Sequence, residues 1–373
     1  MGYEFPTQVS GSVPLTGKDA GGYSPRVALL LRAEELKGLI SLDEAITAVE
    51  QGFRDQGTLP TFSLPRQRIL AQDRRVTIHP GGCLSLGVAG AFIHYERFRY
   101  TMEDQSYHAA GKRVYVAYDS ESAKLLTVII GSLPLFEFDS PEETFATETA
   151  LTSAVGTKHL ARQGARVLGL FGTGRQARRH LKTMCAIRPI QQVKVYSRNL
   201  KNRTSFCASM QSHVDAELVP VESPREAAGG VDMIVCATNS NVPVLLGKWL
   251  EQGVHVTSIV GSNKELLAEG LVSRPRRELD DDVLARADFV AVTLIQQAIQ
   301  DEQGDLLEPV NRGLLHWQDV KELGQLVAGN VKGRTSEGQI TVFKQNSDQG
   351  VGFMALARLA HDKARKAGIG IEI

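Results

Sequence analysis

The chain has 373 residues, 42% of them hydrophobic and 23% charged, a length that favours two domains because single cores stop growing at about 250–300 residues. Its 42 basic and 42 acidic side chains cancel, which argues against a nucleic-acid or membrane partner recognised through bulk charge. No apolar run reaches the ~20 residues that span a bilayer. The four cysteines lie far apart, without a metal or redox pattern, so we expect a reduced, cytoplasmic protein.

The first part of the chain predicts an arm followed by a sheet. Residues 1–25 are rich in Gly, Ser and Pro and contain no apolar signal core, so we expect a flexible arm. A strand and two helical stretches follow, and Ser41 with Glu44 forms a capping-box pattern. From residue 61 to residue 128, short strand-like runs predict an antiparallel or mixed sheet with one solvated face.

From Arg166 onward, strand-like runs alternate with segments of helix length. The predicted strands are "RVLGLFG", "QVKVYSR", "ELVPVE", "VDMIVCATN", "VHVTSIVG" and "DFVAVT", with "QITVFKQ" as a further candidate. This alternation predicts an α/β fold with a parallel, doubly wound sheet covered on both faces. The final "GVGFMALARLAHDKARKAG" has helical apolar spacing, and Gly368 is a typical helix end.

The stretch "GLFGTGRQARRHL", residues 169–181, carries the clearest functional pattern. Gly172, Gly174 and Ala177 form G-x-G-x-x-A directly after an apolar strand and at the start of a helix. The first glycine permits a tight turn, and the second lets the backbone approach a pyrophosphate at the positive end of the helix. The alanine lets that helix pack closely on the strand. The pattern predicts a dinucleotide site of the Rossmann type.

The end of the second strand of this unit decides which dinucleotide is expected. NAD sites usually place Asp or Glu there to bind the ribose 2′-hydroxyl. This chain has "VYSRNLKNR", with Ser197, Arg198 and Asn199 followed by Lys201 and Arg203. Ser197, Arg198 and Asn199 can donate hydrogen bonds to a 2′-phosphate, which a carboxylate would repel. We therefore expect NADP(H), with NAD(H) as the alternative; Arg198 is otherwise a solvated loop residue.

From about Val27 to its end, the chain resembles the ornithine cyclodeaminase/mu-crystallin family. The resemblance is carried by stretches such as "TSAVGTKHLARQGARVLGLFGTGRQARRHL", "VDMIVCATNSNVPVL", "RRELDDDVLARADFV" and "GRTSEGQITVFKQ". It implies a homodimer whose α+β substrate-binding and dimerisation domain comprises residues 1–152 with 345–373. Residues 153–344 would form the Rossmann domain. We expect the last helix, from about Asn346 onward, to pack on the first domain.

The resemblance also implies which residues bind the cofactor. The pyrophosphate would be bound by Gly172, Thr173, Gly174, Arg175 and Gln176. The 2′-phosphate would be bound by Ser197, Arg198 and Asn199, with Arg203 nearby. The nicotinamide side would be lined by Ala237, Thr238, Asn239, Ser240, Val260, Gly261 and Ser262, with Thr149 as a further cofactor contact.

The substrate side departs from the family pattern, in which two Arg and one Lys bind a carboxylate. Arg66 matches the first Arg, with Arg68 as a second option, whereas Ala89 and Glu148 replace the other two cations. Asn263 stands where cyclodeaminases have a catalytic Asp, and an inserted segment, residues 264–275, follows it. Glu148 is expected to pair with Arg66, to bind a cationic group of the substrate, or to be solvated.

Two further stretches, "IHYERFRY" and "EDQSYHAAGKR", bring polar side chains near the expected pocket: His94, Tyr95, Glu96, Arg97, Tyr107, His108 and Lys112. His94 or Asn263 would donate the proton or hydrogen-bond the nitrogen; His94 is otherwise a structural histidine. No two histidines have the spacing of a metal site, so we expect no metal.

Taken with the resemblance, these residues favour hydride transfer between NADP(H) and a C=N bond next to a carboxylate, in the direction of reduction. Arg66 would orient the small-molecule substrate. A cyclodeaminase, which releases ammonia from a diamino acid, is the alternative enzyme. A non-catalytic, NADPH-dependent small-molecule-binding protein is the alternative from another class.

Overall fold

The computed structural model describes residues 28–59, 63–72, 74–101, 106–111, 113–139, 147–262, 264–268, 270, 273–346 and 349–373. The expected arm, Lys112 and Asn263 therefore lie outside the described residues. The described part contains two large sheets and the helices that cover them. Within it, none of the helices has both the length and the apolarity needed to cross a bilayer.

The first sheet is built from the N-terminal part of the chain and its last residues. Its strands are β1 (Leu29–Arg32), β2 (Gln67–Ala71), β3 (Arg74–Cys83), β4 (Val88–Thr101), β5 (Ser106–Ala110), β6 (Arg113–Asp119), β7 (Leu125–Ile130) and β16 (Ile371–Glu372). Their order is β16-β1-β7-β6-β4-β3-β2, and β5 pairs with the end of β4. The sheet is mixed, because β1 runs parallel to β7 while the other pairs are antiparallel.

The two faces of the first sheet differ sharply in burial. On the inner face, alternate residues such as His79, Phe92 and Tyr115 are buried. On the outer face, which we expected to be solvated, the alternate positions are partly buried or exposed, and they are largely apolar: Ile78, Ile93, Tyr95, Val116, Tyr118, Val128 and Ile130. In the described part of the chain, this face is therefore an uncovered apolar surface.

The second sheet is entirely parallel, as the strand–helix alternation predicted. Its strands are β8 (Val167–Phe171), β9 (Gln192–Tyr196), β10 (Glu217–Pro220), β11 (Met233–Cys236), β12 (His255–Ser258), β13 (Phe289–Val292), β14 (Lys321–Glu322) and β15 (Thr341–Lys344). Their order is β10-β9-β8-β11-β12-β15-β13-β14. The order reverses between β8 and β11, and a ligand crevice forms at the carboxyl ends of strands at such a point.

The helices are α1 (Leu42–Thr58), α2 (Thr147–Leu160), α3 (Arg175–Ile187), α4 (Leu200–Met210), α5 (Pro224–Ala228), α6 (Lys264–Ala268), α7 (Asp281–Ala285), α8 (Ile295–Gln300), α9 (Gly304–Asn311), α10 (Leu323–Val327) and α11 (Gly350–Ala367). The capping box at α1 is confirmed, since the Ser41 hydroxyl accepts from the Glu44 backbone N–H and the Glu44 carboxylate accepts from Ser41 N–H. Gly368 ends α11 in the left-handed conformation.

Two helices, α11 and α2, pack against the sheets near the site. Helix α11 packs on the inner face of the first sheet, against β3 and β4, where Phe353 stacks on Phe92 with ring centroids 4.1 Å apart. Helix α2 contacts α1 on one side and α3, β12 and β15 on the other. The N-terminal turn of α2 thereby lies between the inner face of the first sheet and the carboxyl edge of the second.

Candidate active site

The glycine turn joins β8 to α3 with two glycines in different environments. Gly172 has a φ of +110°, and a Cβ there would lie 2.3 Å from the Ala237 carbonyl oxygen. The fold itself therefore requires glycine at residue 172. Gly174 caps α3 with a φ of −86°, and a Cβ there would meet no atom within 4 Å. Packing does not explain the glycine at 174, whereas close approach of a ligand to the helix start does.

A cleft of about 720 Å³ opens at this turn. The residues predicted to bind the cofactor that line it are Gly172, Thr173, Gly174, Arg175, Gln176, Ser197, Arg198, Asn199, Ala237, Thr238, Asn239 and Ser240. None of the described residues lining the cleft is acidic. The residues present therefore fit a dinucleotide, and they fit one with an additional phosphate.

Two of the predicted phosphate-binding residues have local structural roles. Arg203 does not line the cleft; its side chain is buried under the loop and Nη1 donates to the Ser197 carbonyl oxygen at 3.0 Å. Asn199 caps α4 by accepting from the backbone N–H of Asn202 at 3.2 Å. Arg198 is exposed at the cleft wall, so its guanidinium is the cation that the β9 loop presents to a ligand.

Beneath the cleft, three buried charged residues connect the loops that follow β11 and β12. The Glu278 carboxylate accepts from Thr238 N–H at 2.6 Å and from Val260 N–H at 2.9 Å. Lys344 Nζ donates to Asp305 Oδ2 at 2.7 Å and to the Val260 carbonyl oxygen at 2.9 Å. Burial raises the pKa of Glu278, although the Lys344 charge opposes that rise.

We did not single out these three residues from the sequence. Glu278 lies in "RRELDD" and Lys344 in "QITVFKQ", both within the stretches that carry the family resemblance. For Lys344, a charged residue in the otherwise uncharged strand β15 was the available signal.

A second, smaller pocket of about 170 Å³ lies between the inner face of the first sheet and the carboxyl edge of the second. Its wall contains Arg66, Arg68, Arg75, Thr77, His79, Phe92, His94, Glu148, Thr149, Gln176, Ile259, Gly261, Gln345, Asn346 and Phe353. Gln176 lines both this pocket and the dinucleotide cleft. The two cavities are therefore neighbours, and a group bound in one can reach a group bound in the other.

Three arginines line this pocket. Arg66 forms an ion pair with Asp301, and Arg68 Nη1 lies 3.0 Å from Glu265 Oε1 in α6. Burial, together with the charges of Arg66 and Arg75, lowers the pKa of Arg68 to about 10. From the sequence we expected Arg66 alone, with Arg68 as an option.

Arg75 was missed, although strand alternation was the signal that could have found it. Cross-strand pairing joins Arg68 to Thr77 and Thr77 to His94, and Arg75 lies two residues before Thr77. Residues in such positions share one face of a sheet. Arg68 on β2 and Arg75 on β3 thus add two cationic side chains to the wall of this pocket.

Glu148 is buried at the start of α2, with 5% of its surface exposed, so the solvated alternative is wrong. The Tyr115 hydroxyl donates a hydrogen bond to its carboxylate. Arg113 lies nearby: burial lowers its pKa, and the negative charge of Glu148 opposes that shift. The carboxylate is therefore stabilised by residues of β6, which cover the first turn of α2.

His94 lies on the inner face of β4 and is 4% exposed. Its Nε2 is 3.4 Å from His79 Nε2, and its Nδ1 is 3.4 Å from Glu96 Oε1. Burial lowers the pKa of His94, and the hydrogen bond with Glu96 opposes that shift. Tyr95 and Arg97 are exposed on the opposite side of the strand. Tyr107 and His108 belong to β5.

On the nicotinamide side, the structure places the remaining predicted residues at the end of β12. Gly261 and Thr149 line the small pocket. Val260 binds the buried charges through its backbone. The Ser262 hydroxyl donates to the Asp301 carbonyl oxygen.

The sequence model of the ornithine cyclodeaminase/mu-crystallin family matches residues 140–367. The chain belongs to this family. A Δ1-pyrroline-2-carboxylate reductase of Bacillus cereus is 34% identical over 226 residues, which cover 60% of this chain and 66% of that enzyme. The alignment thus spans just under two thirds of the relative's own length.

Solved structures of family members share the fold over almost the whole chain. The Δ1-pyrroline-2-carboxylate reductase of Thermococcus litoralis, in complex with NADH and L-proline, has a TM-score of 0.76 at 26% identity and covers 92% of this chain and 100% of that one. An archaeal alanine dehydrogenase dimer with bound NAD has a TM-score of 0.73 at 24% identity, covering 93% and 98%. These likenesses agree with the doubly wound second sheet predicted from the sequence.

Proposed function

We propose that this family member is an NADP(H)-dependent oxidoreductase that reduces the C=N bond of an imino acid or a related imine. The observation that carries the proposal is the arginine-lined pocket beside the dinucleotide cleft, with Gln176 in the wall of both. An anionic substrate bound by the arginines would lie next to the ring of a cofactor bound across the glycine turn. The Bacillus and Thermococcus relatives are reductases of a cyclic imino acid.

Each part of the pocket has a chemical role in this reaction. A bound nicotinamide supplies the hydride that the imine carbon accepts. Arg66 and its neighbours orient the substrate carboxylate through charge-assisted hydrogen bonds. Glu148 faces the end of the substrate that carries a positive or hydrogen-bond-donating group, and His94 supplies the proton to the nitrogen. The apolar rings of Phe92 and Phe353 reduce the access of water.

We further propose that NADP(H) is preferred over NAD(H). The described wall of the cleft lacks the carboxylate that would bind a ribose 2′-hydroxyl, and it presents Arg198 at the end of β9. Both features favour a 2′-phosphate.

Changing Arg198 to Ala should weaken NADPH binding by about 1.5–3 kcal/mol, the range for a hydrogen bond to a charged group. NADH affinity should change little, because NADH has no 2′-phosphate. Fluorescence titration of both cofactors measures the difference. Lys201→Ala, on the exposed side of α4, is the control for general loss of positive charge. Equal losses of affinity for NADPH and NADH would show that Arg198 does not bind the 2′-phosphate.

Changing Arg66 to Ala should lower kcat/KM for the reduced imine about 10- to 100-fold, as expected for loss of one charge-assisted hydrogen bond to the substrate. The assay is NADPH oxidation over a panel of cyclic and acyclic 2-imino acids. Arg97→Ala, on the outer face of β4, is the matched control.

The same assay separates the alternatives. Ammonia release from ornithine or lysine without net change of the cofactor would indicate a cyclodeaminase. Tight NADPH binding without turnover would indicate a binding protein. If Arg66→Ala leaves kcat/KM unchanged for every substrate, the substrate does not bind against Arg66 in this pocket.

We also propose a homodimer formed through the outer face of the first sheet. Its partly exposed Ile, Val and Tyr side chains form an apolar surface continuous over several paired strands, and such surfaces mark interfaces. The substrate-binding and dimerisation domain would comprise residues 1–152 with 345–373, and residues 153–344 would form the cofactor domain. A monomeric sedimentation coefficient at micromolar concentration would contradict the dimer.

A further inference from the structure

A line of four polar side chains crosses the inner face of the first sheet beside the small pocket. His79 Nε2 lies 3.4 Å from His94 Nε2, and His94 Nδ1 lies 3.4 Å from Glu96 Oε1. Glu96 Oε2 accepts from Arg75 Nη2 at 2.5 Å and from its Nε at 3.1 Å. Both histidines and Arg75 line the pocket, whereas Glu96 lies behind them. The line therefore leads from a buried carboxylate to the proposed substrate site.

The chemistry of the groups determines where the protons of this line are. Burial would raise the pKa of Glu96, but its hydrogen bond with His94 and the charge of Arg75 lower it to about 2. Glu96 is then a carboxylate, which can only accept hydrogen bonds. A proton on His94 Nδ1 would face this carboxylate at 3.4 Å, and in that neutral tautomer Nε2 is an acceptor. His79 would then donate through Nε2–H, so that one proton lies between the facing nitrogens of the two rings.

We propose that the His79–His94 pair, held by Glu96, is the acid that protonates the imine nitrogen during reduction. This inference rests on the proposed function and deepens it. The pair takes up one proton from solvent and becomes an imidazolium. As the imine carbon accepts hydride from the reduced nicotinamide, the C=N π bond breaks and the nitrogen takes the proton from the pair. The nicotinamide is oxidised, and the pair returns to its neutral form.

The surroundings make Glu96 the positioning residue for this acid. Among the described residues, the charged and titratable groups near His94 include Glu96 on its own strand, Arg75 and His79 on β3, Arg113 on β6, and Glu148 on α2. Burial lowers the pKa of His94, Glu96 raises it, and Arg75 and Arg113 lower it. Without Glu96, an imidazolium at His94 would be buried beside two guanidinium groups. Glu96 thus opposes the lowering of the His94 pKa and makes the protonated pair less costly than it would be without this carboxylate.

Burial of these groups also argues against a purely structural role. His79 packs edge-on against Phe353, with ring centroids 4.9 Å apart, and lies beside Phe92. Two aromatic or aliphatic residues would fill this space without the desolvation cost of two imidazoles and a buried ion pair. Perturbed titratable groups in a cavity are typical of functional sites.

The test compares the full-length wild-type protein with three variants, Glu96→Gln, His79→Asn and His94→Asn, and with Tyr95→Phe as the control. Tyr95 lies between His94 and Glu96 in the sequence but faces the outer side of the strand. The pH dependence of kcat is measured at saturating NADPH with the imine that the wild type reduces best. In the wild type, kcat should fall as pH rises through the pKa of the pair, because the acid is then deprotonated.

We expect Glu96→Gln to move this fall to lower pH by roughly one to three units, since a neutral amide no longer stabilises the imidazolium. His79→Asn and His94→Asn should each lower kcat by about 100-fold or more, the usual contribution of a general acid. The dissociation constant of NADPH should stay unchanged in all three, and Tyr95→Phe should keep the wild-type profile.

A second measurement does not depend on turnover and covers the case in which Glu96→Gln fails to fold. NMR titration of histidine-labelled wild-type protein, followed at the imidazole Cε1–H signals, should show two coupled rings, and His79→Asn should change the titration of His94. Uncoupled rings would overturn the proposal. So would histidine variants that keep the wild-type rate and pH profile, and the proposed function would then still stand. A wild-type protein that reduces no imine would overturn the proposed function itself.

Discussion

Replacing Lys344 with Met should lower the free energy of unfolding by about 3–5 kcal/mol, the range for breaking a buried ion pair from one side. Lys344 and Asp305 have fully buried side chains. Met fills a similar volume but leaves Asp305 with Arg277, whose Nε is 4.0 Å away. It also removes the positive charge that opposes the raised pKa of Glu278. Denaturant unfolding at pH 7, without cofactor, measures the loss. NADPH affinity should fall as well, because Lys344 and Glu278 together hold the loops after β11 and β12 through Thr238 and Val260.

Two controls isolate the buried charge. Arg312→Met breaks an ion pair with Asp281 in which the arginine side chain is 64% exposed, so it should cost less than about 1 kcal/mol. The double variant Lys344→Met with Asp305→Asn removes both charges and should recover part of the lost stability. If Lys344→Met costs no more than Arg312→Met, the network does not stabilise the fold.

The parallel sheet could be predicted from the sequence because strands such as β8 and β11 are apolar runs, and strand-like runs alternate with segments of helix length. "VDMIVCATN" is an example: β11 is buried at every position, which is typical of a strand covered on both faces. Two edge strands, β14 in the second sheet and β16 in the first, have two residues each and carry no such pattern. Each forms by pairing with the edge of a longer strand, β14 with β13 and β16 with β1.

The outer face of the first sheet shows what local pattern cannot decide. Strands β3, β4 and β6 alternate in burial, as a half-buried sheet requires. Both sets of alternate positions contain apolar residues, however, so alternation alone does not tell which face meets solvent. The inner face instead contains the polar residues of the site, such as His94 and Glu96, which are buried because α11 and the second sheet cover them.

The substrate pocket was the least predictable part, because it is assembled from segments far apart in sequence. Asp301 and Glu265 lie more than 190 residues from their partners Arg66, just before β2, and Arg68, on β2. From the resemblance to the family, we expected the loss of a cation at Ala89 and at Glu148. The resemblance does not detect cations that enter the same space from neighbouring strands, as Arg68 and Arg75 do.

Changing Gly174 to Ala should weaken NADPH binding about 100-fold or more while leaving the fold intact. The added Cβ would meet no protein atom within 4 Å, so the free energy of unfolding should change by less than about 1 kcal/mol, as for other N-cap substitutions. The loss of affinity arises because the methyl group occupies the space through which backbone N–H groups reach the pyrophosphate. A 100-fold loss corresponds to about 2.8 kcal/mol, which is within the range for one hydrogen bond to a charged group.

Gly172→Ala is the matched comparison two residues earlier. There the added Cβ would lie 2.3 Å from the Ala237 carbonyl oxygen, and the φ of +110° is strained for alanine. We expect it to lower the free energy of unfolding by about 2 kcal/mol or more, in addition to weakening NADPH. Thermal unfolding without cofactor and NADPH titration by fluorescence separate the two effects. A Gly174→Ala protein with wild-type affinity would show that the pyrophosphate does not lie at this turn. Among the described residues, no atom within 4 Å opposes a Cβ at residue 174, so only the ligand can be displaced by it.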